Sequence, residues 1–283
     1  MIKKVLFSIL VIFSVAYLHS QENPESSLGQ SPGENILFFG DQEESSEETS
    51  KCCWDDCAEV TLSLTYSSKY VWRGLNLVDE SVLQPEFSAS KCGFNLAVWG
   101  NMDATNVNGH SWEYSEINVI FDYSNTLDCC RFNLNYSIGA IHYIFPSLCD
   151  PSTWEFFLGL ELDTCLNPAV VVYYDIDEVK GWYMTYGISH LWEKMLCPCK
   201  DFVVGLNLAA SIGWGSSRYN DFYYSYDCTS FLDLLFTVSL PTTWRCWDIE
   251  PFFSASYLTN KSIRHRVYPD ANYWGGITLS RTF

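Results

Sequence analysis

From Ala58 to the C-terminus the chain alternates apolar and polar residues in runs separated by turn residues. A period of two marks strands whose faces meet different surroundings. In the first run Val60, Leu62, Leu64 and Tyr66 share one face, and Thr61, Ser63, Thr65 and Ser67 the other. A later run alternates Phe202, Val204, Leu206, Leu208, Ala210 and Ile212 with Val203, Gly205, Asn207, Ala209, Ser211 and Gly213. That second face is small and polar, which suits a wall lining water better than a packed core. No stretch beyond the N-terminus has the ~20 consecutive apolar residues a spanning helix needs. Such a chain can cross a membrane only as a closed β-barrel, lipid outside and water inside.

The runs predict strands near 58–72, 84–91, 93–104, 112–124, 130–144, 153–163, 168–176, 181–192, 201–214, 229–240, 247–259 and 272–283. The expectation is therefore an all-β fold, a closed antiparallel transmembrane β-barrel of about twelve strands. An even count puts both ends on one rim, and pairing the first strand with the last removes exposed edges. Mostly short turns at 91–93, 125–130, 163–168, 193–200 and 241–247 define one rim. Mostly longer connections at 73–83, 105–111, 145–152, 214–228 and 260–271 define the other, with a short exception at 177–180.

The N-terminal part reads differently. Lys3 and Lys4 precede an apolar run from Val5 to Leu18, and Ser20 supplies a small residue for cleavage, so residues 1–20 are expected to be a signal peptide. Residues 21–57 form an acidic, Ser-rich segment expected to be disordered and periplasmic, ending in Cys52, Cys53 and Cys57. Its first thirty positions carry eight carboxylates and no Lys or Arg; its one apolar cluster is Ile36-Leu37-Phe38-Phe39. Residues 58–283 are the barrel. The net charge is −18, and −12 without the two N-terminal lysines and those eight carboxylates, which argues against nucleic acid as a partner.

In the last run Tyr273, Ile277, Leu279 and Phe283 share a face, and Phe283 ends the sequence. This resembles the C-terminal sorting signal of outer-membrane barrels and implies the barrel-insertion machinery and outer-membrane lipid as partners. Arg281 departs from that pattern. The segments Tyr70-Val71-Trp72-Arg73-Gly74 and Gln84-Pro85-Glu86, with Pro168 to Asp175 and Gly181-Trp182-Tyr183, resemble a family of outer-membrane porins in proteobacterial genomes marked by a Tyr-x-x-Arg-Gly motif. The resemblance covers most of residues 58–283 and implies an outer-membrane barrel in a Gram-negative-type bacterium.

Twelve cysteines point to an oxidising compartment. Besides Cys52, Cys53 and Cys57, the short turns hold Cys92, Cys129, Cys130, Cys165, Cys197, Cys199 and Cys246, so ten of twelve share one rim. Cys149 and Cys228 fall in the opposite loops. Short turns hold cysteines apart, whereas a disulfide needs Cα atoms within about 7 Å. Disulfide-linked copies, other envelope proteins or the N-terminal cysteines are the expected partners. The abundance of cysteine resembles the disulfide-bonded outer-membrane proteins of chlamydia-type envelopes. Cys197-Pro198-Cys199 and the adjacent cysteine pairs fit structural zinc spacing poorly, and no metal or cofactor is expected.

The inward register carries Glu86, Glu116, Asp122, Glu155, Glu161, Asp175, Asp233 and Glu250 against Lys69 and Arg73. Rings of carboxylates favour cations, so a porin for small hydrophilic solutes or ions with weak cation preference is the first expectation. A structural charge network in a nearly closed lumen is the competing reading of the same residues. The alternatives in function are a disulfide-cross-linked envelope protein of little conductance and a surface adhesin. No catalytic residue is expected: His142 lacks the serine context of the barrel phospholipases.

Overall fold

The computed structural model describes residues 58–109, 111–129, 132–199 and 201–283. Its strands are β1 (Glu59–Ser67), β2 (Tyr70–Trp72), β3 (Leu75–Val78), β4 (Val82–Lys91), β5 (Phe94–Asp103), β6 (Tyr114–Cys129), β7 (Phe132–Ile144) and β8 (Thr153–Leu162). They continue as β9 (Ala169–Asp175), β10 (Trp182–Cys199), β11 (Phe202–Gly215), β12 (Ser230–Ser239), β13 (Thr242–Trp244), β14 (Trp247–Leu258) and β15 (Ala271–Thr282). Two helices, α1 (Ser217–Tyr224) and α2 (Lys261–Arg264), follow β11 and β14.

Every neighbouring pair is antiparallel, from β1–β4 through β14–β15, and β15 returns to β1 with Thr61 opposite Thr282 and Ser67 opposite Gly276. The ring is a closed twelve-strand barrel. Two strand labels fall on a single barrel position: β12 and β13 both lie between β11 and β14. The break falls at Leu240-Pro241, where proline has no N–H for the ladder.

The outer face is apolar all round. Leu62, Phe87, Phe121, Ile138, Phe156, Phe236, Phe253 and Ile277 each expose about half their surface. Large aromatic side chains stand exposed toward both ends. Tyr66, Trp154, Trp182, Phe231, Tyr257 and Tyr273 mark the end with the longer connections, and Phe94, Trp192, Trp244, Trp247 and Phe283 the end with the short turns. An apolar band between two aromatic girdles matches a bilayer core between its interfaces. Arg281 pairs with outward-facing Leu62 and lies 4.7 Å from the Phe283 ring and 5.5 Å from Trp247, a position from which its charge reaches the interface.

The first predicted strand needs correction. It ends at Ser67, which pairs directly with Val82, so residues 68–81 are an excursion between two adjacent barrel strands. Ser67 Oγ donates to the Lys69 carbonyl (2.7 Å), while Ser68 and Gly275 bond each other, and the chain turns inward there. The excursion is the β2–β3 hairpin, closed by Arg73 (φ 47°) and Gly74 (φ 83°) between paired Trp72 and Leu75. Two positive φ values make the tight turn whose twist matches hairpin strands. The wet inner wall expected along the whole barrel is also only half right. Toward the long-loop end, Ile120, Ile141, Tyr143, Phe157, Val171, Tyr173 and Tyr183 form an inward apolar patch. Trp72, Leu75, Tyr219, Tyr223 and Tyr224 pack against it, which draws the hairpin and α1 into the lumen instead of leaving them as surface loops.

Candidate functional site

The hairpin touches three walls. Tyr70 packs on Trp99 of β5, with ring centroids 5.7 Å apart, and its hydroxyl donates to Glu116 Oε2 at 2.9 Å. Val71 on the next register sits among Leu235, Phe252 and Trp274 of β12, β14 and β15. The tip reaches β8: Arg73 Nη1 and Nη2 donate to Glu155 Oε1 and Oε2 at 2.8 and 2.7 Å. Tyr143 donates to the same Oε2 at 2.9 Å. A strand pair anchored on three sides bars the lumen at this level.

The guanidinium is caged as well as paired. Its carbon lies 4.3 Å from the Tyr183 ring centroid, 4.4 Å from Tyr173, 4.5 Å from Trp72 and 5.9 Å from Tyr219. The Tyr224 hydroxyl donates to the Arg73 carbonyl at 2.9 Å, fixing the turn itself. Helix α1 delivers both tyrosines. It starts at Ser216, whose side chain accepts from the Tyr219 N–H, and stops at Ser225, where φ is 51°. Burial is the largest single influence on Arg73 and works against its charge, but the Glu155 carboxylate, Tyr219 and Tyr143 together outweigh burial and raise the pKa well above the ordinary arginine value.

Seven of the eight predicted inward carboxylates are buried in the barrel interior, and Glu86 is half-buried. They serve at different levels. Glu155, Glu116 and Asp233 surround the hairpin. Tyr183 donates to both oxygens of Asp233 (3.1 and 3.3 Å), and Gly74 abuts its side chain. Asp175 does other work: it accepts from Thr153 Oγ1 (2.6 Å) and from the backbone of Asp177, Val179 and Lys180, which knits the turn between β9 and β10. Toward the short-turn rim Asp122 accepts from Asn95 at 3.0 Å, and Glu161 and Glu250 line the wall with Glu86. Lys69 is misplaced by the sequence reading. Because β1 ends at Ser67, it stands partly exposed at the hairpin base, hydrogen-bonded to Asp79, whose carboxyl that bond holds below the usual range.

Below the hairpin the wall is polar. Along the whole inner wall, from Gln84 and Asn272 at the long-loop end to Asn207 near the short-turn rim, Gln84 Oε1, Asn118 Oδ1, Asn207 Oδ1 and both polar side-chain atoms of Asn272 are, among the described residues, buried without a protein partner. Buried amides are normally satisfied, so these atoms need water or a polar solute in the lumen. The sequence reading missed the aromatic cage of Trp72, Tyr143, Tyr173, Tyr183 and Tyr219. Its signal was legible as large rings at inward positions of β7, β9 and β10, where a water-lining wall would place small polar residues.

The cysteines sort by rim. Cys92, Cys165 and Cys246 lie in short turns, and Cys149 and Cys228 on the opposite rim. Cys129, Cys197 and Cys199 were expected in turns but end β6 and β10, because pairing continues to Cys129 opposite Phe132 and Cys199 opposite Phe202. Cys149, Cys165, Cys197, Cys228 and Cys246 are exposed free thiols. Cys52, Cys53, Cys57 and Cys130, like the expected signal peptide and linker, lie outside the described residues.

The profile of a family described as a bacterial protein of unknown function (Gcw_chp) matches residues 54–175. No curated protein matches the chain. Among solved structures it is similar to the NanC porin (12% identity, 78% of this chain and 98% of that one, TM-score 0.43). It is also similar to an outer membrane channel from Pseudomonas putida F1 (8% identity, 80% and 95%, TM-score 0.44) and to LpxR from Salmonella typhimurium (9%, 79% and 100%, TM-score 0.43). At such identities and scores these are likenesses of outline, and function must be read from the lumen.

Proposed function

We propose that the protein is an outer-membrane channel for small hydrophilic solutes or ions, weakly cation-preferring, whose lumen is narrowed by the Arg73 hairpin. The observation that carries this reading is a polar wall with eight inward carboxylates and one buried, already paired arginine. With Glu155 offset by Arg73, and Lys69 by Asp79, the remaining lumen field is negative and attracts cations in a manner that salt screens. The expected result in a planar bilayer under a potassium chloride gradient is a reversal potential of the sign for cation preference, shrinking as total salt rises. Anion preference would count against the reading.

The filled upper lumen favours a second reading, an envelope protein of small conductance held in a disulfide network through its cysteine-rich rim. The barrel's backbone is paired around the whole ring, so thiol reduction should leave the monomer folded while dispersing any linked assembly. Gel mobility of unboiled envelope fractions with and without thiol measures this. A monomer without reductant, with alkylation done at lysis, would remove the network from the account. An adhesin is disfavoured because the inward packing of Val71, Trp72, Tyr219 and Tyr224 draws much of the hairpin and α1 away from the outer surface.

A further inference from the structure

The Arg73 cage has the chemistry of a receptor for an organic cation, and its present occupant belongs to the chain. A planar carboxylate gives two parallel hydrogen bonds to the guanidinium, the arrangement that distinguishes guanidinium from a spherical cation. Four aromatic rings lie within 6 Å of its carbon, the distance over which ring faces attract a cation. Tyr143 fixes the carboxylate from behind, and Glu116 and Asp233 add negative charge around the tip. The cage is built by β7 to β10 and α1, not by the hairpin, apart from Trp72.

The occupant is held at a backbone cost. Arg73 takes φ 47° in a turn position that glycine, asparagine and aspartate fill with less strain. An arginine there is explained by what its side chain reaches, not by the turn. A tethered group meets its site at an effective concentration in the millimolar range, so a free competitor of the same chemistry can displace it at similar concentrations.

We propose that this cage is a recognition site for solutes bearing a guanidinium group, with Arg73 as a built-in stand-in, and that such a solute entering from the long-loop end displaces the hairpin and widens the lumen. This deepens the channel reading by naming a solute class and a trigger. The test uses refolded full-length protein and argininamide, with citrullinamide as control, since the latter replaces the guanidinium with a neutral urea of nearly the same shape. In bilayers, tens of millimolar argininamide should raise the wild-type conductance several-fold and citrullinamide should not. In calorimetry on the detergent-solubilised Arg73→Gly protein, whose turn glycine removes the side chain without adding strain, argininamide should bind and citrullinamide should not. Glu155→Gln in the same background should abolish that binding. If calorimetry discriminates while no form conducts, the site stands and the channel reading falls. If the Arg73→Gly protein binds the two probes alike, or the wild-type current responds to them alike, the site is not a guanidinium receptor.

Discussion

Glu155→Ala is expected to expel the hairpin from the lumen while leaving the barrel closed. Removing one member of a buried ion pair strands the other charge in a poorly solvated place, at a cost of about 3–5 kcal/mol. Arg73 would keep its rings but lose both short hydrogen bonds, and Glu116 and Asp233 engage other donors. The barrel ring gains nothing from that pair, because its twelve strands close through backbone ladders that do not involve the β2–β3 hairpin. The consequence should fall on the hairpin alone. Lys69 and Arg73 are both sites for trypsin, and Arg73 is buried while the hairpin is seated. Cleavage after Arg73 in detergent should therefore accelerate roughly a hundredfold or more if opening becomes easier by about 3 kcal/mol. Unboiled gel mobility of the uncut protein should not change. A Glu155→Ala protein as resistant to trypsin as the wild type would mean that packing at Tyr70 and Val71, not the ion pair, holds the hairpin.

Gly276→Val should act on the barrel itself. Gly276 faces Ser67 across the β1–β15 seam, where the ring closes, and the Phe252 ring lies over it from β14. A Cβ at this position would fall inside van der Waals contact of both the Tyr66 carbonyl and the Phe252 ring. One of the two is backbone and cannot rotate away, so relief requires the seam to shift. Overpacking typically costs about 1–3 kcal/mol, and the backbone clash places this site at the upper end. Gly275 is the internal control. It lies one residue away on the outward register, and a Cβ there would meet the Phe252 carbonyl at 3.1 Å and the Phe253 ring at 3.8 Å. The folded, heat-modifiable fraction on refolding into micelles should drop sharply for Gly276→Val and little for Gly275→Ala. Equal losses would show that closure is insensitive to crowding at the seam.

The barrel was legible because its cause is local. Alternation along each run follows from lipid on one face and polar interior on the other, and residues such as Leu62 and Thr65 report their faces without any knowledge of partners. Strand ends were less legible. Ladders in β6 and β10 run on into the expected turns because both partners of each hairpin remain extended despite Asn125, Asp128 and Pro198, in β10 with register shifts after Trp192 and Leu196. The hairpin was hidden for a related reason. Tyr70 and Trp72 continue the outward face of β1, so pattern alone extends the strand to Trp72. The break depends on the Ser67 hydroxyl donating to the Lys69 carbonyl and on Ser68 bonding Gly275, a residue far away in sequence. Of the site, the carboxylates could be placed by register, whereas the role of Glu155 could not. That role depends on Arg73, 82 residues earlier, reaching it by way of a turn the alternation conceals. Asp175 shows the converse: it is buried in the interior, yet its hydrogen bonds assign it to a turn.

A negatively lined lumen narrowed by a hairpin latched through Arg73 should conduct in small steps until the latch is removed. Single-channel conductance of the wild type and of Arg73→Gly, recorded side by side in the same bilayer and salt, tests it most directly. Wild-type steps should be small, and Arg73→Gly steps several-fold larger and still cation-preferring. Wild-type and Arg73→Gly steps of equal size would contradict it.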